Sequence, residues 1–210
     1  MAADGSLQPL APLPVAGRVL VQELVHLWNR ADVDWLGEGV ARYLEVVFTV
    51  TLDGGDADRF GADFADAFRT YLDEGATPGS IASHRGPAAY AAGAALAFCL
   101  DAHLRAAGAD LLALHRALRA PDRVATDGML RGAVVATTLA ARWPALAPQF
   151  EAWRTRPGRL DLVACAAGAG ARARWVQIPD ARKPSATRTG FELRGFGQSD
   201  GALTRGLRAR

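Results

Sequence analysis

Residues 87–106, PAAYAAGAALAFCLDAHLRA, constrain the fold most strongly, because they are almost entirely small and apolar. Pro87 stands where the first residue of a helix belongs, and Gly108 follows as a stop signal. A helix between them carries little side-chain bulk, so we expect it to lie close against its neighbours. The apolar run at its start has 14 residues, which is too short to span a bilayer.

Apolar residues recur at helical spacing through most of the chain before Pro157. The β-branched run VVFTVT, residues 46–51, is compatible with either helix or strand. The end of the helix predicted over 35–51 is therefore ambiguous. Besides residues 87–106, the predicted helices cover about 17–29, 35–51, 59–72, 110–120, 126–143 and 147–156.

The residue pattern changes after Pro157, where Gly, Pro and Ser separate three short apolar segments. RLDLVACA, ARWVQI and TGFELRGF each predict a short strand. We therefore expect a mainly α protein with a small β-containing C-terminal tail. The expected divisions are an extended N-terminal segment (1–16), a helical domain (17–155) and a basic tail with short strands (156–210).

Charge is unevenly distributed along the chain. Residues 1–150 hold 12 arginines and 17 acidic residues, whereas residues 151–210 hold 12 basic and 5 acidic residues. A basic tail can contact nucleic acid or anionic lipid. A solvated terminus is the favoured interpretation, since no aromatic residues alternate with the last arginines to stack on bases. A nucleic-acid partner is therefore not expected.

Cysteine usage and the N-terminus say little about the compartment. Cys99 and Cys165 lie in apolar runs without CxxC spacing, which predicts buried free thiols and leaves a disulfide open. The N-terminus lacks a basic region followed by an apolar core, so no signal peptide is expected. Cytoplasm and periplasm both remain open.

The segment QELVHLWNRADVDWLGEG, residues 22–39, carries the pattern most suggestive of chemistry. In an HExxH helix, two histidines four residues apart bind zinc and the intervening glutamate acts as general base. Here the corresponding residues are Gln22, Glu23 and His26. Glu38 follows 12 residues after His26 and is a candidate third ligand. The flanking glycines Gly37 and Gly39 would permit close backbone approach.

Together with residues further along, this segment resembles the gluzincin metallopeptidases, especially the glycyl aminopeptidase and aminopeptidase N families. The resemblance covers roughly residues 18–120 and includes the helix that begins with AYAAG. The matching residues are Glu23, His26, Trp28, Asn29, Trp35, Glu38, Gly39, Ala41, Tyr43, Tyr90 and Gly93.

The resemblance implies a role for each site residue. Glu23 would be the general base, His26 and Glu38 would bind zinc, and Tyr90 would stabilise the oxyanion of the tetrahedral intermediate. It also implies the helical half of a gluzincin catalytic domain, whose other, β-rich half binds the peptide substrate.

The chain departs from the family pattern at four points. Gln22 replaces a zinc-binding histidine, and an amide is a poor zinc ligand. The interval from His26 to Glu38 is shorter than in aminopeptidase N, and Ala92 replaces a lysine. Only about twenty residues precede the motif, so the β-rich half would have to come from another subunit. The loop histidine His84 is a candidate replacement ligand.

The sequence therefore predicts a metallopeptidase-like domain that is catalytically impaired or inactive, with zinc binding weak or absent. Such a pseudoenzyme would act as a binding or structural module for a peptide or protein partner. The alternative is an active zinc-dependent aminopeptidase, which the retained Glu23 favours. His103 and His115, on later helices, are interpreted as surface or satisfied interior residues.

Overall fold

The described part of the chain is mainly helical and ends in an antiparallel hairpin. The computed structural model describes residues 15–52, 63–64, 80–120, 127–158, 160–168, 170–180 and 183–194. The helices are α1 (Val15–His26), α2 (Val40–Leu52), α3 (Pro87–Ala106), α4 (Leu111–Leu118), α5 (Gly132–Arg142), α6 (Ala147–Thr155) and α7 (Leu162–Gly168). A π-helix (Trp35–Gly39) leads into α2, a 3-10 turn (Ile81–Ser83) precedes α3, and the strands are β1 (Arg172–Asp180) and β2 (Lys183–Arg194). This architecture confirms the predicted class, mainly α with a small β part.

The middle of helix α3 lies inside the molecule and is covered on all sides. Residues 91–102 are buried without interruption, and a helix that is apolar all round requires such an environment. Pro87 occupies the first turn, and Gly108 takes a positive φ of 75° just beyond the end. Both predicted boundary signals of this helix are confirmed. Every helix in the described ranges is too short or too polar to cross a lipid bilayer.

Several other predicted helices have shifted ends. Helix α1 ends at His26 rather than Asn29, and the β-branched run is helical to Leu52. Asp110 caps α4 by accepting a hydrogen bond from the Ala113 amide at 2.6 Å, while α5 begins only at Gly132. The helix expected around 59–72 lies outside the described residues except for 63–64, which are helical.

The prediction of a strand at RLDLVACA is wrong, because this segment forms α7. The Asp161 carboxylate accepts a hydrogen bond from the Ala164 amide at 3.0 Å, which favours a helix start. Leu162, Cys165 and Ala166 then share one buried face at helical spacing. A short apolar run does not distinguish strand from helix by itself.

The preferred prediction of free thiols is also wrong. Cys99 of α3 and Cys165 of α7 form a disulfide with a Cα–Cα distance of 4.9 Å. The two cysteines are 66 residues apart in the chain, so the local sequence does not indicate that they pair. This bond fastens the first element of the basic tail to the buried helix.

The hairpin is attached to the helical body through one of its faces. Phe191 and Leu193 of β2 belong to the same core cluster as α3 and α7. The other two predicted strands of the tail are thus confirmed as β1 and β2. The predicted extended segment 1–16, apart from residues 15–16, and the terminal run 195–210 lie outside the described residues.

Candidate functional site

The structure brings His26 and Glu38 together, as the spacing of the motif predicts. His26 is the last residue of α1 and Glu38 lies in the π-helix. The His26 Nε2 atom is 3.2 Å from the Glu38 Oε2 atom, and the two side chains are 24% and 33% exposed. The pair therefore lies at the rim of the core, where solvent or a ligand can reach it.

Tyr90, in the first turn of α3, joins this pair. A hydrogen bond to Glu38 is the main cause that raises the pKa of Tyr90 to about 12, and partial burial and the charge of Glu38 add to it. Glu23 and Asp34 act in the same direction through their charges. The phenol thus remains protonated at neutral pH and can donate a hydrogen bond towards negative charge.

Glu23 and Gln22 precede His26 on α1. Glu23 is exposed, and its charge is one of the minor causes that raise the pKa of Tyr90. Gln22 is half-buried. The four residues His26, Glu38, Tyr90 and Glu23 are called the site cluster below.

Among the described residues, no third zinc ligand lies beside His26 and Glu38. A catalytic zinc takes three protein ligands and a water, of which His26 and Glu38 would supply two. Within the described ranges, no group of three or more His, Cys, Asp or Glu side chains is arranged to hold a metal ion. His84 therefore does not enter such a group, and both of its buried ring nitrogens lack a hydrogen-bond partner in the described part of the chain.

Two glycines set the distance between the π-helix and α3. A Cβ atom on Gly39 would lie 2.3 Å from the Gly93 Cα atom, and one on Gly93 would lie 2.7 Å from the Gly39 Cα atom. The two backbones touch, which only glycine permits. Glu38 precedes one glycine and Tyr90 lies one turn before the other, so this contact places Glu38 opposite Tyr90. The close approach expected at Gly37 does not occur, since a Cβ there would meet its nearest atom at 3.8 Å.

Asn29 holds the π-helix from the other side. It is fully buried, and its Nδ2 group donates to the Leu36 carbonyl at 2.9 Å and to the Gly37 carbonyl at 2.7 Å. These are the two residues that precede Glu38. Asn29 therefore fixes the backbone that carries the carboxylate, a role that the residue pattern alone does not reveal.

His115 of α4 forms a hydrogen bond with Asn29. Its Nε2 atom lies 2.8 Å from the Asn29 Oδ1 atom, which can only accept, so Nε2 carries the hydrogen. Burial, and secondarily the charge of Arg119, lowers the pKa of His115 to about 4. The imidazole is neutral at pH 7 and its ring meets that of Trp28 edge-on at 4.6 Å. The prediction that His115 is a surface or satisfied interior residue is confirmed, and the structure places it in the interior.

Tyr43, another residue of the resemblance, belongs to a buried polar network beneath the site. Its hydroxyl donates to the Asp101 carboxylate at 2.6 Å, and Arg105 donates to the same oxygen at 2.9 Å. The other carboxylate oxygen accepts from the Leu111 amide at 2.7 Å. Burial and the charge of Asp101 raise the pKa of Tyr43 well above its usual value. The network links α2, α3 and the start of α4.

Comparison with known protein families, with curated proteins and with solved structures finds no match to this chain.

Proposed function

We propose that this protein is a metallopeptidase-like domain of the gluzincin type that is catalytically impaired and acts as a binding or structural module. The observation that carries the proposal is the convergence of His26, Glu38 and Tyr90 from three separate elements, next to a glutamine at position 22. Such a domain would present the site region to a peptide or protein partner, including a subunit that supplies a β-rich half.

The contacts of Glu38 support this proposal. Its carboxylate lies 3.2 Å from the His26 imidazole, and its interaction with Tyr90 raises the pKa of that phenol. Two side chains from other elements therefore lie next to this partly exposed carboxylate. The cluster links α1, the π-helix and α3 through side chains alone.

The position of Gln22 supports the loss of reliable zinc binding. On α1, residues four apart lie on the same face, so position 22 is oriented with His26. An amide oxygen there is a weak ligand for zinc compared with imidazole. Two good ligands do not hold zinc firmly at ordinary concentrations of the metal.

The second candidate function is an active zinc-dependent aminopeptidase, and Glu23 is the residue that favours it. The sequence keeps Glu23, whose charge acts on the pKa of Tyr90, although a general base has no task without an activated water. In that case Glu23 would take a proton from the attacking water, while Tyr90 would donate to the developing oxyanion.

Measurement of bound zinc distinguishes the two functions. The purified protein, Gln22→His, Gln22→Ala and the double variant Gln22→His/Glu38→Gln are dialysed against zinc-buffered solution and the metal is quantified. We expect about one zinc per chain for Gln22→His alone. The alanine variant controls for loss of the amide, and the double variant tests whether Glu38 is a ligand.

Each outcome decides between the proposals. About one zinc per chain in the unaltered protein, together with hydrolysis of an aminoacyl anilide, would establish the aminopeptidase. A Gln22→His protein that folds normally but binds no zinc would refute the gluzincin relationship itself.

A further inference from the structure

The outward face of the C-terminal hairpin gathers arginines in register. Arg172 pairs with Arg194 across the two strands, and Arg174 pairs with Glu192. Alternate residues on a strand share a face, so these four side chains project together. We call them the arginine face. The intervening Leu193 lies on the opposite face and is buried.

The arginine face carries more positive charge than its single acid compensates. Arg174 and Arg194 each place a guanidinium Nε 2.6 Å from a Glu192 oxygen. Arg172 has no carboxylate partner among the described residues. Since like charges placed directly opposite on a sheet destabilise it, the pairing of Arg172 with Arg194 works against the hairpin in the absence of an anion.

The guanidinium groups remain available to a ligand. The side chains of Arg174 and Arg194 are 71% and 70% exposed although both contact Glu192. The hydrogen bond from Arg174 is the main cause that lowers the pKa of Glu192, so this acid is ionised at neutral pH. A guanidinium has five donors, and one shared carboxylate leaves most of them unused.

The arginine face borders a shallow depression. Together with Ala173 it lines an open depression of about 370 Å³, within the usual size range of small-molecule sites. Guanidinium groups bind carboxylate and phosphate oxygens in paired hydrogen bonds. The only large aromatic side chain on β1, Trp175, contacts Phe191 on the opposite face, so no stacking surface accompanies the arginines.

We propose that the arginine face binds a small ligand with two or more closely spaced anionic oxygens, such as a diphosphate or a polycarboxylate. The guanidiniums of Arg174 and Arg194 hold the ligand oxygens, and Arg172 contributes additional positive charge. Glu192 occupies the site as an internal counterion when the ligand is absent. This assignment is independent of the metallopeptidase resemblance.

Binding of inorganic pyrophosphate and of citrate to the full chain tests this site. Calorimetric titration near physiological salt is carried out on the unaltered protein, Arg174→Gln and Arg194→Gln. We expect each variant to bind at least about tenfold more weakly, because each loses a charge-assisted contact. Arg116→Gln is the matched control, since Arg116 is 68% exposed and lies elsewhere, on α4.

Removal of the internal counterion Glu192 should have the opposite effect on the affinity for the anionic probes. Glu192→Gln frees the guanidiniums of Arg174 and Arg194, so it should tighten binding several-fold. Glu151→Gln removes the same charge from an ion pair with Arg154 on α6 and should leave the affinity unchanged. Circular dichroism verifies that all variants are folded.

Three results would overturn the proposal. The first is no saturable binding of either probe up to about 10 mM. The second is an equal loss of affinity in Arg116→Gln, which would indicate diffuse charge. The third is much tighter binding of duplex DNA with a steep salt dependence, which would make a nucleic-acid backbone the ligand. Preference for pyrophosphate over citrate distinguishes phosphate from carboxylate recognition.

Discussion

Replacement of Asn29 by alanine should destabilise the protein by about 3–4 kcal/mol. Asn29 donates to the carbonyls of Leu36 and Gly37 and accepts from His115, at distances of 2.7–2.9 Å. The side chain is fully shielded from water, so no solvent molecule replaces it without local opening. The substitution therefore removes three buried hydrogen bonds at once.

The magnitude follows from the groups that lose a partner. Three hydrogen bonds at about 1 kcal/mol each give about 3 kcal/mol. The Gly37 carbonyl keeps the Val40 amide as a donor, which limits its penalty. The N–H of His115 is left unpaired in a buried position, which adds up to about 1 kcal/mol more.

Urea unfolding of a double-mutant cycle measures this effect. The cycle comprises the unaltered protein, Asn29→Ala, His115→Ala and the double variant. We expect a coupling energy of about 1–2 kcal/mol between the two sites, because the residues share a hydrogen bond. A cost below about 1 kcal/mol for Asn29→Ala, or additive single effects, would refute the role assigned to this residue.

Three further predictions concern the helix contact, the buried histidine and the disulfide. Gly93→Ala should lower the free energy of unfolding by about 3 kcal/mol, since its Cβ would lie 2.7 Å from the Gly39 backbone; an unchanged urea midpoint would contradict this. Because His115 has a pKa of about 4 when folded and an ordinary value of 6.5 when unfolded, the unfolded chain binds the proton more readily, and stability should fall by about 3 kcal/mol as pH decreases through this window. Unfolding curves at several pH values should show this fall, and His115→Gln should flatten it. Replacing Cys99 and Cys165 together by alanine should cost about 4 kcal/mol, from the entropy of a loop of 66 residues, and thermal unfolding at equal buffer conditions provides the comparison.

The features that could be predicted from sequence depend on local physics. The composition of residues 87–106 requires a buried helix, and its proline and glycine signals mark its ends correctly. The 12-residue interval from His26 to Glu38 is short enough for a turn to return one side chain to the other. These predictions succeed because residues close together in the chain determine both structural features.

The features that escaped prediction depend on distant contacts. Cys99 meets Cys165 across 66 residues, and Asn29 meets His115 across 86 residues. Helix α7 is helical because its apolar face is covered by α3, which is not evident from its seven residues alone. Long-range burial in each case selects one of several conformations that the local sequence permits.

The geometry of the site cluster is determined by contacts that do not involve residue 22. The contact between Gly39 and Gly93 positions the π-helix against α3, and Asn29 holds the carbonyls that precede Glu38. Position 22 lies on the half-buried face of α1 and takes part neither in the contact between Gly39 and Gly93 nor in the hydrogen bonds of Asn29. A change at this position is therefore expected to alter the ligand chemistry while the scaffold persists, and so Gln22→His should create a metal site without changing the fold.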